Sequence, residues 1–116
     1  MPRKNNRNRK NGPRRDIVRE FSVYFGDEGK LENWQRLCRD PGLHGEFTSL
    51  TRCRKALRTV CVNIWDLLDA IQAGTAVPRF PNKHALAQYT IEEERFYPKK
   101  QAKKQGPVKD LLKHIV

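Results

Sequence analysis

The chain has 116 residues, enough for one domain with a small core, and its formal net charge is +11. It contains no apolar run near the roughly 20 residues that a membrane-spanning helix needs, and its first residues are too polar for a secretory signal. We therefore expect a soluble intracellular protein, and its odd number of cysteines, three, favours a reducing compartment.

The charge is distributed unevenly along the chain. Residues 1–15 carry seven basic residues and no acid, residues 16–98 carry eleven basic against twelve acidic residues, and residues 99–116 carry six lysines against one aspartate. Basic ends attached to a nearly neutral body attract polyanions, either nucleic acid or acidic lipid, by sequence-independent electrostatics. Solvated tails that aid solubility or nuclear import have the same composition, so both interpretations stay open.

Residues 1–15 are predicted to be a disordered basic arm, followed by a single helical domain over residues 16–116. The arm has no large apolar residue after Met1 and is rich in Asn, Arg and Lys, so it lacks the apolar surface to fold alone. Arms of this kind bind nucleic-acid grooves or act as import signals, and the sequence does not separate the two. The candidate nucleic-acid contacts in the arm are Arg3, Lys4, Arg7, Arg9, Lys10, Arg14 and Arg15.

Two helices are predicted before the middle of the chain. Apolar residues recur at helical spacing over residues 17–25, with Asp16 suited to the first turn and Gly26 to the end. Residues 30–39 repeat the pattern and stop at a Pro-Gly pair. Trp34 shares a face with the apolar residues of this second helix, so we interpret it as a core anchor rather than a platform for base stacking.

Residues 49–74 hold the densest helical pattern of apolar residues, and we expect the rest of the chain to pack on them. A β-branched run at 60–62 weakens helix propensity in the middle. This predicts two short helices joined by a tight corner, although one kinked helix fits the pattern as well. Asn63 is suited to cap the second helix, and Gly74 to end it in a left-handed conformation.

The remaining residues also predict short helices. Two prolines within residues 75–81 indicate an extended connector. Asn82 is predicted to cap one helix, and the T-x-x-E pattern at Thr90 predicts that a separate brief helix begins there. Pro107 suits the first position of the last helix. We therefore predict an all-α fold, a small bundle of five to seven short helices.

Catalytic and metal-binding patterns are missing from the sequence. There is no nucleophile elbow, phosphate-binding glycine loop or HExxH helix, so we expect no enzymatic activity and no cofactor. The cysteines and His44 lack the close pairs of a zinc site, so we expect no metal. Asp66 and Asp69 are interpreted as the polar face of a helix rather than an acid–base pair. The cysteines, interpreted as small core residues, are Cys38, Cys53 and Cys61.

The helix predicted over residues 51–58 carries four cations without an intervening acid. A helix-turn-helix reads bases with its second helix, but here the second helix carries Asp66 and Asp69, which repel phosphates. We therefore expect contacts with the nucleic-acid backbone rather than base readout, while a solvated helix face explains the pattern equally well. The candidate contacts outside the arm are Arg52, Arg54, Lys55 and Arg58 in this helix, and Lys99, Lys100, Lys103 and Lys104 near the C-terminal end.

The leading hypothesis is a nuclear protein that binds DNA or RNA, largely without regard to sequence, through its basic ends and residues 51–58. The alternative is a helical protein-interaction module of a nuclear complex, in which the arm serves only as an import signal. No membrane partner is expected, because residues 99–116 only weakly resemble a basic amphipathic helix. The contacts predicted for a protein partner are Phe21, Tyr24 and Phe25, or the apolar stripe Val108, Leu111, Leu112 and Ile115.

Several short motifs give the chain a resemblance to a known family. They are Asn33-Trp34-Gln35-x-Leu37-Cys38, Cys53-x-Lys55-Ala56-Leu57, Val62-Asn63-Ile64-x-Asp66-Leu67, and Phe80 followed by Leu86-x-x-Tyr89-Thr90. With them, most of residues 31–116 resembles a family of small, functionally uncharacterised proteins of filamentous fungi. The resemblance implies an intact globular unit that excludes the basic arm. It brings no activity, ligand or catalytic residue.

Overall fold

The computed structural model describes residues 15–104 and 106–112, and within these ranges it contains seven helices and no strand. The predicted all-α bundle of short helices is therefore confirmed. Residues 1–14 of the predicted arm and residues 113–116, which include Ile115 of the apolar stripe, lie outside the described residues. The helices are α1 (Ile17–Phe25), α2 (Leu31–Arg39), α3 (Leu50–Leu57), α4 (Ile64–Ala73), α5 (Lys83–Glu93), α6 (Lys99–Ala102) and α7 (Pro107–Leu111).

An aromatic cluster joins α1 to α2 in the core. The rings of Phe21 and Phe25 stack at a centroid distance of 5.9 Å, and Phe25 meets Trp34 edge-on at 5.3 Å. Trp34 is only 5% exposed, and its indole N–H donates to the backbone oxygen of Glu28 at 2.9 Å. Since a buried indole needs such a partner, its location confirms Trp34 as a core anchor.

Two cysteines fill the contact between α2 and α3. Cys38 and Cys53 are fully buried, and the Cys38 thiol donates to the backbone oxygen of Cys53 at 3.5 Å. Burial raises the pKa of Cys38 to about 12, so the thiol stays neutral at physiological pH and is a poor nucleophile. Both therefore behave as the small core residues that the sequence predicted.

The corner between α3 and α4 is organised by Asn63, which is 4% exposed. Its Oδ1 accepts from the backbone N–H groups of Trp65 at 2.9 Å and Asp66 at 3.3 Å, so the predicted cap of α4 is confirmed. Its Nδ2 donates to Thr90 Oγ1 at 3.2 Å and to the backbone oxygen of Arg95 at 3.0 Å. The same side chain thus begins α4 and connects it to α5 and the segment after it.

Replacing Asn63 with alanine should lower the free energy of unfolding by about 2–3 kcal/mol, since it removes a cap and leaves buried polar groups without partners. The matched control is Asn82→Ala. Asn82 caps α5 through one 2.8 Å bond to the backbone N–H of Ala85 and is exposed, so its loss should cost about 1 kcal/mol. Urea unfolding followed by circular dichroism measures both, and equal losses would contradict the connecting role of Asn63.

The prediction that a separate helix begins at Thr90 is wrong. Helix α5 is continuous over Lys83–Glu93 and ends at Glu94, which has a left-handed φ of 54°. A capping box would need the Thr90 hydroxyl to accept from a backbone N–H three residues later. Here the hydroxyl accepts from Asn63 instead, and Leu86 is fully buried on the same helix. Tertiary contacts therefore keep Thr90 inside α5.

The last helix packs on α3. Pro107 is its first residue, as predicted. Val108, Leu111 and Leu112 are buried in the core of their own chain. The described part of the apolar stripe is consequently part of the fold, and α7 brings its one acidic residue, Asp110, against the basic helix α3.

Candidate nucleic-acid interface

The four cations of residues 51–58, three within α3 and Arg58 at its C-cap, separate into two pairs with different surroundings. Arg54 Nε donates to Asp110 Oδ2 at 2.9 Å, and Arg58 donates to Oδ1 of the same carboxylate from Nε at 3.0 Å and Nη2 at 2.9 Å. Arg52 and Lys55 are exposed, and no acidic side chain of the described residues lies within ion-pair distance of either. Of the two pairs, only Arg52 and Lys55 therefore present positive charge to solvent that no described carboxylate neutralises.

Asp110 supplies the negative charge that residues 51–58 themselves lack. It is 1% exposed, and its two arginine partners precede it by 56 and 52 residues. Buried carboxylates persist in proteins when they are paired and hydrogen-bonded. Arg54 and Arg58 thus have a structural task, but their side chains keep 42% and 40% exposure, so their outer edges face solvent.

Arg15, assigned to the disordered arm, belongs to the folded part of the chain. Its guanidinium pairs with Glu20 at 2.7 Å and with Asp69 at 3.1 Å, and it lies 4.8 Å from the centroid of the Trp65 ring. The hydrogen bond from Arg15 lowers the pKa of Glu20. Arg15 is therefore occupied by contacts with the folded body rather than available to a polyanion.

Asp66 and Asp69 lie on the polar face of α4, where the sequence placed them. Arg95, which follows α5, reaches both carboxylates through Nη1, at 3.3 Å and 3.1 Å. Together with Arg15 and Glu20 they form an ion-paired group on the side of the bundle made by α1 and α4. Among the described residues, this group sets two arginines against three carboxylates, so it presents no excess of positive charge to a polyanion.

Lysines dominate the surface of α6 and the residues after it. Ala102 is fully buried and fixes this turn on the core, while the flanking lysines are exposed. These exposed side chains are Lys99, Lys100, Lys103 and Lys104. The contacts predicted within residues 1–14 lie outside the described residues. The candidate interface thus consists of the lysines around α6, the exposed pair on α3, and the arm that precedes α1.

The surface predicted for a protein partner is largely internal. Phe21 and Phe25 are buried, as are the three described residues of the C-terminal stripe. Tyr24 is half-buried and donates its hydroxyl proton to Asp40, and burial is the largest cause of its raised pKa. These side chains hold the bundle together, so a partner would reach most of them only if a terminal helix left the core.

Membrane-spanning helices, metal-binding clusters and similarity to known proteins are the remaining features that could indicate a function. Within the described ranges, no helix is long and apolar enough to cross a membrane. Among the same residues, no group of three or more His, Cys, Asp or Glu side chains is arranged to hold a metal ion. The resemblance to small fungal proteins stays a prediction, since no protein-family model, curated protein or solved structure matches the chain.

Proposed function

We propose that this protein binds DNA or RNA through phosphate contacts that depend little on base sequence. The segregation of charge is the observation that carries the proposal: six basic residues and no acid in residues 1–14, and six lysines against one acid in residues 99–116. Arg15 is not counted, because contacts within the fold occupy it. Clustered cations release counterions from a nucleic acid when they neutralise its phosphates, which supplies affinity without specificity. The helical body then serves as the scaffold that connects the two basic ends.

The surface of α3 supports a secondary contact. Arg52 and Lys55 are exposed and unopposed by any described acid, so they suit phosphate oxygens. Arg54 and Arg58 share one carboxylate and are partly exposed. A guanidinium has five N–H donors, so each can bind Asp110 and a phosphate together. We therefore assign the larger part of the α3 contribution to the exposed pair.

Binding should weaken steeply as salt concentration rises. A protein making 6–10 phosphate contacts loses about 10³–10⁵ in affinity between 50 and 200 mM salt. Fluorescence anisotropy with two unrelated duplexes and one single-stranded RNA measures this dependence, and we expect the two duplexes to bind within a few-fold of each other. Absence of binding to every probe, or binding that salt does not change, would overturn the proposal.

Nuclear localisation is part of the same proposal, because an arm of this composition also suits import. An arm that serves only for import would leave affinity unchanged when its charges are removed. Variants of the arm that lack its positive charges therefore separate the two roles.

A further inference from the structure

A cavity of about 240 Å³ lies between α5 and the segment that leads into α6, and it is partly open to solvent. Its walls are mainly apolar. Two large apolar side chains at its edge are unusually exposed, Ile91 at 64% and Phe96 at 52%. The residues that form the apolar walls are Val62, Ile64, Leu86, Ala87 and Leu112.

The polar groups around this cavity already have protein partners. Asn63 uses both its oxygen and its nitrogen within the fold, and the Thr90 hydroxyl accepts from it. Arg95 is paired with two carboxylates of α4. Trp65 Nε1 donates to the backbone oxygen of Phe96 at 2.8 Å, which fixes the edge of the cavity. A ligand rich in hydroxyl groups would therefore find few hydrogen-bond partners in this cavity, whereas an apolar ligand would pack against its apolar walls.

Lys99 is the exception among the lining residues. It is exposed and lines the cavity, and no described acidic side chain lies within ion-pair distance of it. A single unopposed cation beside an apolar cavity complements a ligand with an apolar body and one negative group. A few polar groups at an otherwise apolar pocket commonly set the orientation of a ligand in this way.

The volume limits the size of the ligand. Apolar cavities of about 150 Å³ bind benzene, whereas sites for drug-sized ligands begin near about 300 Å³. A cavity between these limits suits a molecule somewhat larger than benzene.

We propose that this cavity binds a small apolar molecule that carries one carboxylate, such as a medium-chain fatty acid or an arylalkanoic acid. The apolar body lies against Leu86 and Leu112, and the carboxylate pairs with the Lys99 ammonium. This inference does not depend on the proposed nucleic-acid binding. Of all the cations assigned to phosphates it uses Lys99 alone, so either proposal can fail without the other.

The test uses the full chain with octanoate and with octan-1-ol, which has the same chain length and no charge. Titrations followed by ¹H–¹⁵N NMR should show saturable changes in the chemical shifts of the backbone amides of Val62, Ile64 and Leu86, which line the cavity. Octanoate should bind up to about fivefold more tightly than octan-1-ol, the gain of an exposed ion pair. Lys99→Met should remove that difference, while Lys100→Met, at an exposed neighbour that does not line the cavity, should preserve it.

A second pair of variants tests the location. Ala87→Leu fills the cavity from its wall and should abolish binding of both probes. Ala85→Leu makes the same change on α5 at a half-buried position outside the lining and should leave binding intact. Absence of saturable shifts in the original chain, equal affinity for the two probes, or an unchanged preference in Lys99→Met would each overturn the proposal. If Ala87→Leu does not fold, the comparison at Lys99 and Lys100 still decides.

Discussion

Replacing the six cations of residues 1–14 with glutamine should weaken duplex binding by about a hundred- to a thousandfold at low salt. These six are close to half of the thirteen basic residues in residues 1–15 and 99–116. Each phosphate contact contributes about 0.9 to the slope of log affinity against log salt, so the slope should become shallower by about five. Arg15 is left unchanged, because its contacts with Glu20, Asp69 and Trp65 belong to the fold. The substituted residues are Arg3, Lys4, Arg7, Arg9, Lys10 and Arg14.

Matched controls come from dividing the arm and from the helical body. One variant replaces Arg3, Lys4 and Arg7 with glutamine, and a second replaces Arg9, Lys10 and Arg14. The control variant also loses three cations, Lys30, Arg79 and Lys83, which are exposed on the nearly neutral body. Anisotropy titrations at several salt concentrations should show a large loss for either half and a small one for the control. Equal effects of the halves and the control would mean that the arm does not bind, which would leave import as its role.

Removing both arginines that pair with Asp110 should destabilise the fold far more than removing the exposed pair Arg52 and Lys55. In an Arg54→Met, Arg58→Met double variant, a carboxylate that is 1% exposed keeps no partner within the described residues. An uncompensated buried charge of this kind costs about 3–5 kcal/mol. Urea unfolding followed by circular dichroism measures the loss, and the exposed pair supplies the control: Arg52→Met with Lys55→Met should change stability by about 0.5 kcal/mol or less.

Replacing Asp110 should lower the free energy of unfolding by less than replacing its two arginine partners, because only the carboxylate is buried. In Asp110→Asn the arginines left behind retain 42% and 40% side-chain exposure, so water can solvate them. The expected loss is about 1–3 kcal/mol, that of a buried hydrogen-bonded group whose partners are rearranged. A larger loss for Asp110→Asn than for the double arginine variant would show that the buried carboxylate is not the costly group.

These substitutions also separate two roles of α3. If Arg54 and Arg58 serve mainly the fold, Asp110→Asn should not weaken nucleic-acid binding, because both cations remain. The exposed pair has no such structural task, so its removal should lower affinity without lowering stability. Comparing the two variants therefore distinguishes phosphate contacts from the ion pair that fixes α7, a helix of five residues that cannot be stable alone.

Local sequence determined the helices and most of their ends. Asn63 and Asn82 cap the helices that follow them, and Gly74 ends α4 with φ of 73° and ψ of 28°. Such features depend on residues within one or two turns of each other, so apolar spacing and cap chemistry suffice to predict them. The all-α class and the core position of Trp34 follow from the same short-range pattern.

Only the tertiary structure decided which charges meet. Asp110 joins Arg54 across 56 residues, and Arg15 folds back to Asp69 and Trp65. The T-x-x-E pattern at Thr90 predicts the start of a helix, but Asn63 donates to the Thr90 hydroxyl and α5 continues through this residue. The cavity beside Lys99 is likewise formed by residues from separate elements. Helix periodicity states which face of each helix is apolar, but the choice of partner depends on how the helices pack together, and that is set by the whole chain.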